Sequence, residues 1–338
     1  MSSRRIGVIG AGSWGTALAD CLSRNGHEVH LWSHEIEVAN EIGNHHRNET
    51  YLPGVELDPR LEASHDLEDV LEAAEVVVSV SPSEFVRATM EKARSCLPAR
   101  PGLLVSASKG LELGSDLRMS EVLLHVLGAE IAEGCVVLSG PSFAAELARQ
   151  RPTAVTLASR SEENARAVQE LFQNEHFRLY TQSDVIGTEL GGALKNVIAL
   201  AAGISDGLGL GHNARAALLT RSLAEIRRLT HRLGGEPETL AGLAGVGDLI
   251  LTCTGDLSRN RTVGLEIGRG RKLEDVLSGM RSVAEGVRTT RAAVDLAARH
   301  GVEMPISEAV YSILYEEVEP QVALARLMAR DPKPERWS

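Results

Sequence analysis

The chain has 338 residues, a formal net charge of −11, and 43% hydrophobic and 24% charged residues. Such a chain buries a sizeable core, and its length favours two domains over one. The acidic balance argues against nucleic acid or an anionic membrane as the main partner, while local basic groups can still hold an anionic small substrate.

The N-terminus, MSSRRIGVIG, passes from two arginines into a short strand and then glycines. A secretory signal needs a longer apolar region and a small-residue cleavage site. No apolar run is expected to reach the ~20 residues that span a bilayer. Cys21, Cys96, Cys135 and Cys253 are scattered without C-x-x-C spacing, and read as reduced thiols of a cytoplasmic protein.

Taken in order, RIGVIG (5–10) predicts a strand entering a glycine turn, followed by a helix over 13–25 that Gly26 stops. HEVHLW (27–32) predicts the second strand. EVVVSV (75–80), GLLVSAS (102–108), CVVLSG (135–140), TAVTLAS (153–159) and FRLYT (177–181) follow as further short strands. Near-continuous Val/Leu/Ile runs separated by helical segments suit a parallel sheet covered on both faces. The expectation is a doubly wound, Rossmann-type α/β domain over residues 1–187. Beyond it the texture becomes helical: 190–205, 214–233, 238–243, 273–278, 290–300 and 307–315. Thr290 and Ser307 are candidate N-caps, and Pro305 is expected to block helix just before Ser307. Residues 188–338 thus form an all-α second domain ending in a loose tail, DPKPERWS.

GVIGAGSWGTALA contains Gly10-x-Gly12-x-x-Gly15 between a strand and a helix. Gly10 permits a tight turn, Gly12 lets the backbone approach a pyrophosphate, and Gly15 allows close helix–strand packing. The helix N-terminus then faces the phosphates. Ser13 and Trp14 lie inside this turn. At the end of the second strand, LWSHE puts Ser33 and His34 at the tip. Both can hydrogen-bond a 2′-phosphate, which favours NADP, while Glu35 keeps NAD open. The alternative for His34 is an exposed surface imidazole.

ELGGALKNVIALAAGIS (189–205) carries one charge after Glu189, Lys195, in an apolar helix. Burying an ammonium is costly unless it is paired or gives up its proton. A lysine in a poorly solvated wall can serve as a proton donor near neutral pH. The alternative is a lysine whose stem packs and whose head reaches water. Metal is not indicated: the 11 histidines include NHHRN (44–48), which lacks helical i, i+4 pairing with a carboxylate.

SASKGLE (106–112), SGPSFAAEL (139–147), GGALKNVIALAAGISDGLGLGHNARAAL (191–218) and LAGVGDLILTCTGDLSRNR (243–261) join the glycine turn, YLPG (51–54) and AEGVRTT (284–290). Together they strongly resemble the bacterial-type NAD(P)-dependent sn-glycerol-3-phosphate dehydrogenases, in the family's order and over most of the chain. Ser142 and Val287 are mild variants within those segments. The resemblance implies reversible hydride transfer between NAD(P)H and C2 of dihydroxyacetone phosphate, yielding sn-glycerol 3-phosphate for phospholipid synthesis. It also implies a homodimer.

By the same resemblance Lys195 is the general acid/base. Asn196 either hydrogen-bonds substrate or is an ordinary helix amide. Asp248, in GVGDL, either pairs with Lys195 or caps the helix that follows. Lys109 follows a strand, at the end of the sheet where ligands bind, and is implied to contact substrate and cofactor in the catalytic centre. Gly140 and Ser142 are implied to touch substrate. Ser258, Arg259 and Asn260 form the phosphate handle, for which Arg259 supplies a planar, permanently charged fork. Thr252 could add a hydroxyl, and Arg261 lies outside the contact set. Gly10, Gly12, Ser13, Trp14, Gly15, His34, Tyr51, Lys109, Ala144, Arg259, Val283 and Glu285 are the implied cofactor contacts.

Two other readings compete. The 3-hydroxy-acid dehydrogenases have a similar build, but place an asparagine four residues after the lysine, where this chain has Ala199. A non-catalytic NADP-binding protein would need neither the lone lysine nor a second phosphate site.

Overall fold

Short β-branched runs become the strands of one sheet: β1 (Arg5–Ile9), β2 (Glu28–Trp32), β3 (Glu62–Ser64), β4 (Val76–Ser79), β5 (Leu103–Ser106), β6 (Val136–Ser139), β7 (Thr153–Ala158) and β8 (Phe177–Gln182). These elements come from a computed structural model that describes residues 3–98, 102–280, 284–332 and 334–335. The strand order is β3-β2-β1-β4-β5-β6-β7-β8. The order reverses between β1 and β4, the switch point at which such sheets bind ligands.

Alternation along β4 shows why the runs are continuously apolar. Val76 and Val78 join one core with Leu18, Leu22, Val168 and Phe172. Val77 joins another on the opposite face with Val86, Met90, Val122 and Leu123. A strand covered by helices on both faces has no polar side.

Two features of the sheet depart from expectation. β3 was not anticipated: it has three residues, Glu62, Ala63 and Ser64, at the sheet edge, with no apolar run to announce it. β7 runs antiparallel to β6. The connection between them holds only the five-residue helix Ala144–Ala148, too short for the crossover that parallel neighbours need.

The chain divides into one unit of Met1–Lys109 and Leu117–Val185, and another of Gly110–Asp116 and Ile186–Ser338. The expected boundary had left Gly110–Asp116 in the first. Leu111 is instead buried in the helical core, and Asp116 is ion-paired with Arg299.

The second unit is built around Val185–Gly207, with Gly211–Arg232, Asp248–Thr254, Arg259–Gly268, Leu273–Ser278, Glu285–Arg299, Pro305–Tyr315 and Pro320–Met328. Contrary to expectation, Val185–Gly207 is long and apolar enough to cross a membrane by length and composition. Of its most apolar window, 89% is buried inside the protein, which makes it a core helix. Thr290 and Ser307 are not N-caps. Thr290 lies within its helix and donates to the Gly286 carbonyl. Pro305 opens its helix, where a missing N–H costs nothing, and Ser307 falls in the first turn.

Candidate active site

The glycine turn assigns each glycine a separate task. Gly10 has φ of +125°. A Cβ on Gly15 would lie 1.8 Å from the Gly10 carbonyl oxygen, so this helix can approach β1 only without a side chain there. A Cβ on Gly12 would meet nothing within 4 Å, leaving its backbone open to a ligand. Gly12 precedes the helix Ser13–Arg24, and no side chain caps that N-terminus. The Trp14 indole N–H is buried without a hydrogen-bond partner among the described residues. An uncapped helix start beside an open glycine suits a dinucleotide pyrophosphate.

At the end of β2 the structure revises the expectation for Ser33. Its side chain is fully buried and its hydroxyl donates to Glu35 at 3.4 Å, so it is not presented at the tip. Glu35 also accepts a 2.6 Å bond from the Tyr51 hydroxyl. That bond, then burial, pushes the Tyr51 pKa up to about 12. Glu35 is therefore held in place by two hydroxyls. His34 is exposed, with its ring 6.1 Å from that of Trp32. The Glu35–Tyr51 pairing was illegible beforehand because nothing local ties residues 16 apart.

Farther along the sheet, the Gly140 carbonyl gathers two predicted residues. Lys109 Nζ and Ser142 Oγ each donate to it at 3.0 Å. Gly140 has φ of +145°, and a Cβ there would lie 2.9 Å from Val155 Cα. Ala144 opens the short helix that follows.

In the second unit, Lys195 and Asp248 are 8% and 1% exposed. Lys195 Nζ lies 2.9 Å from Asp248 Oδ1. Thr252 completes a triangle: its hydroxyl accepts from Lys195 Nζ at 2.8 Å and donates to Asp248 Oδ1 at 3.2 Å. Asp248 begins a helix but does not cap it, so of its two readings the pairing is the one realised. Thr252, expected beside the phosphate handle, stands at the ammonium instead. The i, i+4 spacing from Asp248 was the available signal.

Ser258 caps Arg259–Gly268, its Oγ accepting from the Arg261 N–H at 3.3 Å. Arg259 is exposed, and its side chain makes no ion pair or hydrogen bond among the described residues. Asn260 is buried, and its Oδ1 accepts from the Gly286 N–H at 2.9 Å. A Cβ on Gly286 would lie 2.5 Å from the Asn196 carbonyl oxygen. Asn196, Asn260 and the start of Glu285–Arg299 thus converge. Val283 lies outside the described residues. Among those described, no group of three His, Cys, Asp or Glu side chains could hold a metal ion.

Comparison with known proteins follows this division. Residues 5–165 match the model of the NAD-dependent glycerol-3-phosphate dehydrogenase N-terminus, and 184–325 that of its C-terminus. The chain is 55% identical to glycerol-3-phosphate dehydrogenase [NAD(P)+] of Geobacter sulfurreducens, covering 99% of this chain and 100% of that one. It is 52% identical to the Myxococcus xanthus enzyme of the same name, over 98% and 99%. A crystal structure of glycerol-3-phosphate dehydrogenase from Coxiella burnetii superposes with a TM-score of 0.92 at 41% identity, over 97% and 99%.

Proposed function

The chain belongs to the NAD-dependent glycerol-3-phosphate dehydrogenase family, and on that premise we propose that it reduces dihydroxyacetone phosphate reversibly to sn-glycerol 3-phosphate with NADH or NADPH. The observation that carries this reading is the buried Lys195–Asp248–Thr252 triangle in the same helical unit as Arg259, whose side chain has no partner among the described residues. One part suits a proton donor, the other a phosphate.

A bound nicotinamide supplies the hydride. The chain must then supply a proton to the oxygen on C2 as it becomes an alkoxide. Lys195 Nζ gives that proton, and Asp248 and Thr252 hold the ammonium in one orientation. Asp248 also balances the buried positive charge in either direction of reaction. Arg259 binds the phosphate as a planar fork, assisted by Ser258, Asn260 and the helix N-terminus. In the first unit, Gly10, Gly12, Ser13, Trp14 and Gly15 hold the pyrophosphate. His34 and Tyr51 serve the adenosine end, and Ala144, Val283 and Glu285 complete the cofactor contacts. Lys109, Gly140 and Ser142 contact substrate.

In this reading the sheet unit is the dinucleotide domain and the helical unit the substrate domain. Supply of glycerol 3-phosphate to phospholipid synthesis, action in the cytoplasm and a homodimer complete it. The free thiols of Cys21, Cys96, Cys135 and Cys253 suit a reducing compartment.

The test is spectrophotometric: NADH or NADPH oxidation with and without dihydroxyacetone phosphate. Substrate-dependent loss of the nicotinamide absorbance is expected. Oxidation with a 3-keto acid but not with the phosphorylated ketone would replace this reading with the hydroxy-acid one.

A further inference from the structure

Lys195 and Asp206 lie on one helix, Val185–Gly207, about 16 Å apart along its axis. Against that helix packs Arg259–Gly268, backbone to backbone. A Cβ on Gly203 would lie 2.1 Å from the Arg261 carbonyl oxygen, and one on Gly264 2.1 Å from that of Leu200. Gly207 and Gly268 repeat the pattern one turn on: a Cβ on either would lie 2.4 Å from a carbonyl oxygen across the contact. Such a seam sets how closely the helices approach. At the four glycines themselves no side chain links one helix to the other, although Leu200, Ile204, Val263 and Ile267 share the surrounding core.

Asp206 provides a polar link across that seam. Its carboxylate is nearly buried, with 8% side-chain exposure. Oδ2 accepts from Arg261 Nε at 3.0 Å and lies 2.8 Å from Arg261 Nη2. Oδ1 accepts from Arg215 Nε at 2.9 Å. Arg261 also reaches Asp256 at 3.3 Å, but that carboxylate is fully exposed and the contact is weakened by solvent. Arg261 follows Arg259 and Asn260 in the same first turn, where its N–H is already held by Ser258. Both the main chain and the side chain of Arg261 are thereby fixed.

We propose that Asp206 is a positioning residue: through Arg261 it locks the Ser258–Asn260 turn on the helix that carries Lys195, fixing the spacing between proton donor and phosphate anchor. This rests on the roles proposed above for Lys195 and Arg259. The lock makes the chain select ketones by the distance from the reacting carbon to the phosphate. It also ties two guanidinium groups to one carboxylate, so that Arg259 is the arginine of this turn presented to the substrate.

The experiment compares kcat/KM for dihydroxyacetone phosphate and for unphosphorylated dihydroxyacetone in wild type, Asp206→Asn and Asp206→Glu. For Asp206→Asn, kcat/KM with the phosphorylated ketone falls roughly 10- to 100-fold, mainly through KM. With dihydroxyacetone it stays within about twofold, because that substrate does not use the anchor. Asp206→Glu recovers part of the loss. In an Arg259→Ala background, Asp206→Asn has little further effect. Equal losses for both ketones, or no loss for either, would overturn the proposal. Arg261→Lys is a second route to the same break if Asp206→Asn folds poorly, with the same differential expected. Wild type that fails to reduce dihydroxyacetone phosphate would refute the functional reading itself, a distinct outcome.

Discussion

Lys195 Nζ stands 2.9 Å from Asp248 Oδ1, a buried ion pair joining the longest apolar helix to the first residue of a short one. The pair answers why a charge sits in that helix. An ammonium with a carboxylate and a hydroxyl around it can be buried, and can be aimed. We expect Lys195→Ala to lower kcat for dihydroxyacetone phosphate reduction by roughly 10²- to 10⁴-fold. The dissociation constant for NADH, read by nicotinamide fluorescence, should stay near wild type. The variant should also melt earlier, because the buried Asp248 carboxylate loses the ammonium that balances it. Lys195→Met with Asp248→Asn should recover part of that Tm without recovering activity.

Arg259 and Arg261 are two residues apart yet face different fates. Arg261 is tied to Asp206, whereas Arg259 is exposed and partnerless among the described residues. Arg259→Ala should therefore leave stability unchanged and raise KM for dihydroxyacetone phosphate. Charged hydrogen bonds contribute about 1.5–3 kcal/mol each, so a roughly 10- to 100-fold rise is expected. Steady-state kinetics with varied ketone checks it, and an unchanged KM would remove Arg259 from the handle.

Glu35 bears on cofactor choice. Its carboxylate is held by Tyr51 and Ser33 at the end of β2, where a negative charge opposes a 2′-phosphate. Glu35→Gln should raise kcat/KM with NADPH relative to NADH by about tenfold, an effect limited by screening at this exposed position. Tyr51→Phe frees the carboxylate and should move the ratio in the same direction by less. A ratio unaffected by Glu35→Gln would assign nucleotide choice to His34 or elsewhere.

The parts of the fold that were legible are those where local pattern and tertiary role agree. β4 is Val-Val-Val-Ser because it is covered on both faces, and the glycine turn reads as one because Gly10 and Gly15 have no alternative. The helix Arg259–Gly268 was missed for the opposite reason. Its first turn, Arg259–Thr262, is polar, and Gly264 and Gly268, poor helix formers, are required by close contact with the helix that carries Gly203 and Gly207. The segment ahead of Asp248 was missed similarly. A Cβ on Gly245 would lie 2.1 Å from the Leu240 carbonyl oxygen, a constraint visible only once the chain is folded. Contacts such as Lys195 with Thr252 and Lys109 with Gly140 join residues dozens of positions apart, and no local pattern announces them.

Glu225 offers a test of the helical unit independent of catalysis. It reaches from Gly211–Arg232 to the start of Pro305–Tyr315, accepting from the N–H groups of Ile306 at 2.7 Å and Ser307 at 3.3 Å, and from the Ser307 hydroxyl at 3.3 Å. Burial raises its pKa to about 7, against the opposing pull of those donors and of Arg228. The folded state therefore binds a proton more tightly than the unfolded chain, where the value is 4.5. The stability linked to this proton is fully present below about pH 4.5. It is lost as pH rises through about 7, where folding must bury a charged carboxylate. Glu225→Gln keeps an acceptor for the helix start and removes the titration. The difference in Tm between variant and wild type should be small at pH 5 and grow in favour of the variant toward pH 8. Taking the difference between the two proteins at each pH cancels every other titrating group. A difference that is flat with pH would show that the backbone donors hold Glu225 ionised throughout.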